Sequence, residues 1–321
     1  MFRRRVLNVM GIILLMSAVL LSACGKKEQK TLSIGEQFGL AYAPLEVMKS
    51  EGFLEEALKA RGLDISVEWK KLGNTSAIRE SMLSGDLDIG FTAIPPFLIG
   101  KDKGMDWRIM AGISKTSVAL VTKDPTLTSI ADLPENHRII LPQPGSIQHI
   151  LLMMASEKVL GKASALDGQL LSMAHPDGVT AFLSGKEDLL HFTTPPYLQQ
   201  ELESGGRVLL DGRESFGGDF TFIVGICPER VFLDTKVYES FKEALVKTME
   251  YMETNREGTH QILSEAYDYD QEDLKGYLQD GTTTFGTGVE GMDTFVEFME
   301  RNGLISSGLK EMELYWEKDA K

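Results

Sequence analysis

The chain is 321 residues long, 43% hydrophobic and 25% charged, and its 47 acidic residues outweigh 33 lysines and arginines to give a formal net charge of −14. That balance argues against a nucleic-acid partner, because neutralising phosphates takes clustered Lys and Arg, while the length is enough for two domains of ordinary size. Cys24 and Cys227 are the only cysteines, so no framework of intrachain disulfides exists.

Residues 1–23 read as an address. Arg3, Arg4 and Arg5 precede an apolar stretch over 9–21, and Leu21-Ser22-Ala23-Cys24 follows. A basic start, a short apolar core and small residues before the cut define a secretory signal, and the core is short for a bilayer span of about 20 residues. The Leu-Ser-Ala-Cys pattern resembles the lipobox of bacterial lipoproteins. That resemblance implies cleavage before Cys24, lipidation of Cys24 and an anchor on the extracytoplasmic face of the cell membrane. Residues 24–30 form a polar tether. Removing the signal takes away three arginines and no acid, so the mature chain is more acidic still. Such a chain is held near a membrane by lipid and not by charge, and several acyl chains hold stably where one holds weakly.

The mature chain alternates strand and helix patterns. Residues 31–36 read as a strand, and 37–42 as a turn leading to Pro44 at a helix start. That helix carries Leu45, Val47, Met48, Phe53, Leu54 and Leu58, and Gly52 interrupts it. Residues 64–72 alternate and predict a second strand. Gly73-Asn74-Thr75-Ser76 offers capping side chains to a helix over 77–84. Strands are expected at 87–91, 107–113 and 118–122. The polar, turn-rich stretch 123–133 marks a lobe boundary. A strand over 138–141 leads through Pro142-Gln143-Pro144-Gly145-Ser146 into a helix over 147–160, with Ser146 as its cap. Then come a strand at 169–173, a helix at 177–184, and strands at 188–192 and 207–210. Residues 211–219 read as a Gly-rich connector, and 220–227 as a strand crossing back. Cys227 in that run reads as an inert core thiol. From Pro228 the pattern is helical to the end, with segments over 237–252, 257–267, 271–278 and 289–302. Strands alternating with helices indicate parallel α/β sheets.

One stretch occurs twice. Residues 83–98 and 183–198 share seven of sixteen identities, among them Leu-Ser-Gly at the start and Pro-Pro near the end. Each copy runs from a helix closed by glycine through a short buried strand and a small-residue turn to Pro-Pro, which suits the first turn of a helix. Two copies imply two lobes of similar build, each presenting a strand-to-helix turn. With the helical tail packed on the first lobe, lobe one spans 31–118 plus 221–321 and lobe two spans 119–220.

By these pieces the chain resembles the solute-binding proteins of ABC importers of the sulfonate, taurine and nitrate type. The resemblance rests on Thr31-Leu-Ser-Ile-Gly, Ser84-Gly-Asp-Leu-Asp-Ile-Gly, Ser129-Ile-Ala-Asp-Leu-Pro, Pro144-Gly-Ser-Ile-Gln-His and Thr283-Thr-Phe-Gly-Thr, in that order. It implies a periplasmic-binding-protein-like α/β fold with two lobes, a two-strand hinge and a ligand cleft between them. It further implies delivery of a small-molecule ligand to an ABC permease and its ATPase by a monomer that carries no cofactor. Pyrimidine-precursor-binding and pyrimidine-synthesising proteins of thiamine metabolism resemble the same architecture, and a ligand sensor signalling to a membrane kinase is a third reading.

In open α/β sheets ligands bind beyond the carboxyl ends of the strands. The turns there place Gln37, Phe38, Tyr42, Asn74, Thr75 and Thr92 in lobe one, and Ser146, His149 and Thr194 in lobe two, as candidate ligand contacts. Free N–H groups at a helix start attract an oxyanion without any cation. Hydroxyls and amides add oriented bonds, and Phe38 and Tyr42 can cover an apolar part of the guest. Each has a plainer alternative. Asn74, Thr75 and Ser146 can be helix caps alone, Phe38 and Tyr42 core, His149 a surface or cap residue, and Thr92 and Thr194 partners of turn backbone. His137, His175, His191 and His260 show no ligand-like spacing and read as structural or solvated. None of the turns contains an arginine, which favours a small organic oxyanion or a polar heterocycle. No P-loop, no nucleophile elbow and no Cys/His zinc cluster is present. Asp268-Tyr-Asp-Gln-Glu-Asp lacks the glycine of a calcium loop, so neither a metal site nor an enzyme is expected.

Overall fold

The computed structural model describes residues 30–316; the signal stretch, Cys24 and nearly all of the tether lie outside the described residues. Two sheets organise the chain. The first contains β1 (Lys30–Glu36), β2 (Ile65–Lys71), β3 (Ile89–Ala93), β4 (Arg108–Thr116), β10 (Ile223–Cys227) and β11 (Thr283–Phe285), in the order β11-β4-β10-β3-β1-β2. The second contains β5 (Ala119–Thr122), β6 (Arg138–Leu141), β7 (Leu170–Ser172), β8 (Leu189–Thr193) and β9 (Arg207–Asp211), in the order β7-β6-β8-β5-β9.

The orders correspond strand for strand. β1 lies between its parallel neighbours β2 and β3, as β6 lies between β7 and β8. Beside the third strand of each set runs an antiparallel strand: β10 beside β3, and β5 beside β8. Both come directly after a crossing. The chain leaves the first sheet at Thr116 and enters the second at Ala119, then leaves the second at Asp211 and re-enters the first at Ile223. Each lobe is therefore sealed by a strand delivered from the other side. A one-residue slip of either strand would reverse its faces, so each register ties the two lobes together.

Helices follow the sequence signals closely where caps are strong. Gly52 at φ 67° ends α1 (Ala43–Glu51), and α2 (Phe53–Ala60) starts directly after it, so the interruption is a true break. The Asn74 side chain caps α3 (Thr75–Ser84), accepting from Ala77 N at 3.0 Å. α4 (Ile94–Asp102) opens on Pro95 and Pro96. Ser146 caps α5 (Ile147–Leu160), as expected. α6 (His175–Leu183) starts two residues earlier than its apolar pattern, because His175 and Pro176 occupy its first turn. α7 (Tyr197–Glu203) follows the second Pro-Pro pair, whose peptide bond is cis.

Two expectations need correction. The connector over 211–219 holds a short helix, α8 (Gly212–Phe216), because the Asp211 carboxylate caps it by accepting from Glu214 N. The tail is not helical throughout. After α9 (Glu229–Leu233), α10 (Thr235–Thr254), α11 (Arg256–Tyr267) and α12 (Gln271–Gln279), β11 adds to the edge of the first sheet before α13 (Met292–Arg301). β11 is three residues long, too short for alternation to announce it, and its pairing with β4 is a long-range choice. The tail packs on the first lobe through α10, which lies along α1 and α2 and buries Phe241 against Phe91 with ring centroids 5.9 Å apart.

Candidate functional site

The carboxyl ends of the two sheets face each other. Contacts crossing between them include Leu40 N donating to Pro195 O at 3.0 Å, Ser76 N donating to Gln143 Oε1 at 3.2 Å, and Tyr277 Oη donating to Glu203 Oε1 at 3.0 Å. The first depends on Gly39. Its φ of 111° is costly for any other residue, and a Cβ there would stand 3.3 Å from Pro195 O and 3.7 Å from Thr194 Oγ1. The lobes are thus closed on one another. Between them lies a cavity of about 30 Å³. One water occupies ~10–15 Å³ by this measure, so the closed cleft suits a small guest.

Six of the nine candidate residues line this cavity: Gln37, Phe38, Tyr42, Thr75, Ser146 and Thr194. Three do not. Asn74 spends its side chain on the cap of α3. Thr92 is buried within β3, and its Oγ1 has no hydrogen-bond partner among the described residues. His149 is turned away, with Nδ1 accepting from Gly145 N at 3.0 Å and Nε2 bonded to Asp167 Oδ1 at 3.1 Å, so both ring nitrogens are engaged by protein. Asn74 takes its plainer alternative, a helix cap, whereas the Thr92 hydroxyl bonds to no turn backbone among the described residues and His149 is buried rather than on the surface.

Sequence reasoning missed Gln148, His175 and Phe222, which line the same space. Gln148 carried a signal, since it and His149 are the polar side chains in the first turn of a helix that is apolar over the next six residues. His175 followed by proline at a helix entry was a weaker one. Phe222 carried none, because its position depends on where the chain re-enters the first sheet.

The electrostatics are neutral at the wall. Among the described residues no Lys, Arg, Asp or Glu lines the cavity. Lys71 stands behind Phe38 with its ammonium 6.0 Å from the ring centroid, and it is paired with Glu46. Beneath Gln37, the buried Glu36 carboxyl is pushed up to about 7, first by burial and then by the Glu46 charge, against the pull of Lys71. Burial and Glu36 raise the Tyr42 phenol, which therefore stays a donor. Gln37 Nε2 donates to Phe91 O at 3.3 Å.

Donors come from helix starts. The first N–H groups of a helix have no acceptor within it, and at α5 only that of His149 is taken by the cap, by Ser146 Oγ at 3.3 Å. Those of Ile147 and Gln148 meet no acceptor among the described residues, and both residues line the cavity. On the opposite wall, α3 directs its first turn into the same space at Thr75. Chemically, the arrangement can hold an anion or a polar group by oriented neutral donors. Among the described residues no group of His, Cys, Asp and Glu is placed to hold a metal ion. The Cys227 thiol is buried and pushed up to about 12, chiefly by that burial, and is far from nucleophilic.

Neither protein-family models nor curated protein sequences match the chain. Solved structures do. The alkanesulfonate-binding protein of Xanthomonas axonopodis pv. citri, solved with MOPS, superposes with a TM-score of 0.69 at 20% identity, covering 87% of this chain and 96% of that one. The periplasmic aliphatic sulphonate binding protein of Escherichia coli gives 0.68 at 20% identity, covering 90% and 98%. The periplasmic nitrate-binding protein of Synechocystis gives 0.62 at 17% identity, covering 91% and 84%. At such identities the likeness establishes the fold, which is periplasmic-binding-protein-like over nearly the whole described chain.

Proposed function

We propose that the chain is an extracytoplasmic solute-binding protein of an ABC importer, and that it captures a small organic oxyanion of the sulfonate, taurine or nitrate kind. The observation that carries this reading is the neutral, donor-lined cavity between two closed lobes, fed by the starts of α3 and α5. A fixed cation is not required, because helix-start N–H groups and hydroxyls bind an oxyanion directly. The fold shared with sulfonate- and nitrate-binding proteins supports the same reading. Capture and delivery involve no bond chemistry.

The lobes are residues 31–118 plus 221–321 and residues 119–220, and they part by bending near 117–121 and 220–223. Opening is needed for entry, since the closed cavity is small. Cys24 carries the lipid that holds the mature monomer at the membrane, beside the permease and its ATPase.

A thermal-shift panel of methanesulfonate, taurine, nitrate, bicarbonate and a hydroxymethylpyrimidine tests the reading. An oxyanion at 100 times its dissociation constant adds about 2.7 kcal/mol of stability. A response to the pyrimidine alone would transfer the chain to the thiamine-precursor class, and turnover of any probe would make it an enzyme. Small-angle scattering should show a smaller radius with ligand than without.

A further inference from the structure

Gln148 and His175 are the cleft end of a line of four buried polar side chains. Gln148 Nε2 lies 3.0 Å from His175 Nε2, His175 Nδ1 lies 3.1 Å from His191 Nε2, and His191 Nδ1 lies 2.5 Å from Glu201 Oε1. His191 and Glu201 are fully buried, and Gln148 and His175 nearly so. The line is built by four elements: α5, α6, β8 and α7. Gly178 on α6 makes room for it, because a Cβ there would stand 2.7 Å from His191 Nε2.

A neutral imidazole has one N–H and one lone pair, so the direction of one link fixes the direction of all. Two directions exist. Inward, the Gln148 amide donates to His175 Nε2, His175 Nδ1–H donates to His191 Nε2, and His191 Nδ1–H donates to Glu201 Oε1. Outward, a protonated Glu201 Oε1 donates to His191 Nδ1, His191 Nε2–H donates to His175 Nδ1, and His175 Nε2–H donates to the Gln148 amide oxygen, the amide being turned over from the orientation that sets Nε2 against His175.

Glu201 Oε2 discriminates between them. It is buried and has no hydrogen-bond partner among the described residues. A proton there would be a donor with nothing to accept it, whereas a bare acceptor is the lesser penalty. A neutral Glu201 therefore places its proton on Oε1 and runs the line outward. An ionised Glu201 can only accept and runs it inward. The groups facing the line are few. Lys123 at the end of β5 favours the carboxylate, and Tyr197 stacks on His175 with ring centroids 5.8 Å apart. Arg207 on β9 is directed to the carbonyls of Asp124 and Leu127 instead. Burial outweighs Lys123 and pushes Glu201 up to about 9. It also pulls His191 down to about 3 and His175 well below the usual imidazole range.

We propose that this line is a two-way hydrogen-bond relay in which Glu201 is the positioning residue that decides which end of the Gln148 amide faces the cleft. With a proton on Glu201 the amide N–H groups face it, beside the free N–H groups of α5, and the site selects a guest rich in acceptor oxygens. Without that proton the amide oxygen faces it and repels such a guest. The choice of guest rests on the oxyanion reading above; the relay does not.

Nitrogen NMR of the ligand-free protein, labelled in histidine and glutamine side chains, tests the relay. At pH 7 both His175 and His191 carry their proton on Nε2. Both convert to Nδ1–H through one shared midpoint near pH 9, and the Gln148 amide shifts with them. In Glu201→Gln that midpoint disappears. Rings already in the Nδ1–H form at pH 7 in the wild type, rings that change independently, or a midpoint surviving in the variant would overturn the relay. The first two observations need no variant to fold. Methanesulfonate affinity then reads the coupling: it falls about tenfold per pH unit above the midpoint in wild type and stays flat in Glu201→Gln. An affinity unchanged across the midpoint in wild type would overturn the link to guest selection. Ring switching without binding of any oxyanion would uphold the relay and sink the oxyanion reading instead.

Discussion

The two copies of the repeated stretch occupy equivalent strands and bury opposite chemistry. β3 and β8 hold the same place in their sheets, each between a parallel neighbour and the strand that crossed from the other lobe. Phe91 in the first copy aligns with His191 in the second, and both are fully buried. Phe91 packs on Phe241 of α10, with Gly225 making room beside its ring. His191 binds Glu201 and His175, with Gly178 making room in the same manner. One backbone plan therefore supports a dry core in lobe one and a polar line reaching the cleft in lobe two. The strand decides where a side chain goes; the residue decides whether that place is sensitive to pH.

The largest expected effect comes from removing the apolar member. Phe91→Ala should lose about 3–5 kcal/mol, read by urea unfolding, with the same loss at pH 6 and pH 8.5, because no titratable group replaces it.

The polar member should differ in kind. Burial pushes the Glu201 carboxyl up to about 9 from its usual 4.5. Its stabilising share is thus present in full below 4.5 and is lost as pH rises toward 9. Glu36, raised to about 7, acts in the same direction over a narrower range. His191, lowered to about 3 from 6.5, acts oppositely, its share being lost as pH falls below 6.5. Stability should therefore decline from pH 6.5 to 9. Glu201→Gln should remove up to about 1.4 kcal/mol per pH unit of that decline, measured as Tm across the range. An alkaline limb identical in the variant would mean that Glu201 is ionised in the native state.

Overpacking tests the two glycine gaps. Gly225→Ala places a methyl 2.8 Å from Phe91 Cε1 and should lose about 1–3 kcal/mol at any pH. Gly178→Ala should lose a similar amount and also displace His191, so its effect alone should change with pH. The smallest effect is at the cleft. Thr194→Val removes one hydroxyl and should weaken ligand binding by about 0.5–1.5 kcal/mol while leaving Tm of the free protein near that of wild type. Calorimetry with the panel's best binder reads it.

The legibility of the site followed the same division. Phe38, Tyr42, Thr75, Ser146 and Thr194 were readable because each sits at a strand end or helix start, positions that local signals mark. Thr92 and His149 lie off the cavity, because Thr92 belongs to β3 itself rather than to the turn after it and a helix start does not say which way its side chains point. His149 found Asp167 eighteen residues along, a partner that spacing does not announce. His175 was set aside for want of a pattern, yet its hydrogen-bond partners lie on two other elements.

Local chemistry alone, then, determined the α/β alternation, the helix caps at Asn74 and Ser146, the break at Gly52 and the doubled strand-to-helix turn, since each depends on a few neighbouring residues. Tertiary structure alone decided that β11 joins the first sheet and that four polar side chains drawn from α5, α6, β8 and α7 meet in a dry interior. Those outcomes depend on which surfaces are buried together, and burial sets both the hydrogen-bond partners and the charge state of Glu201.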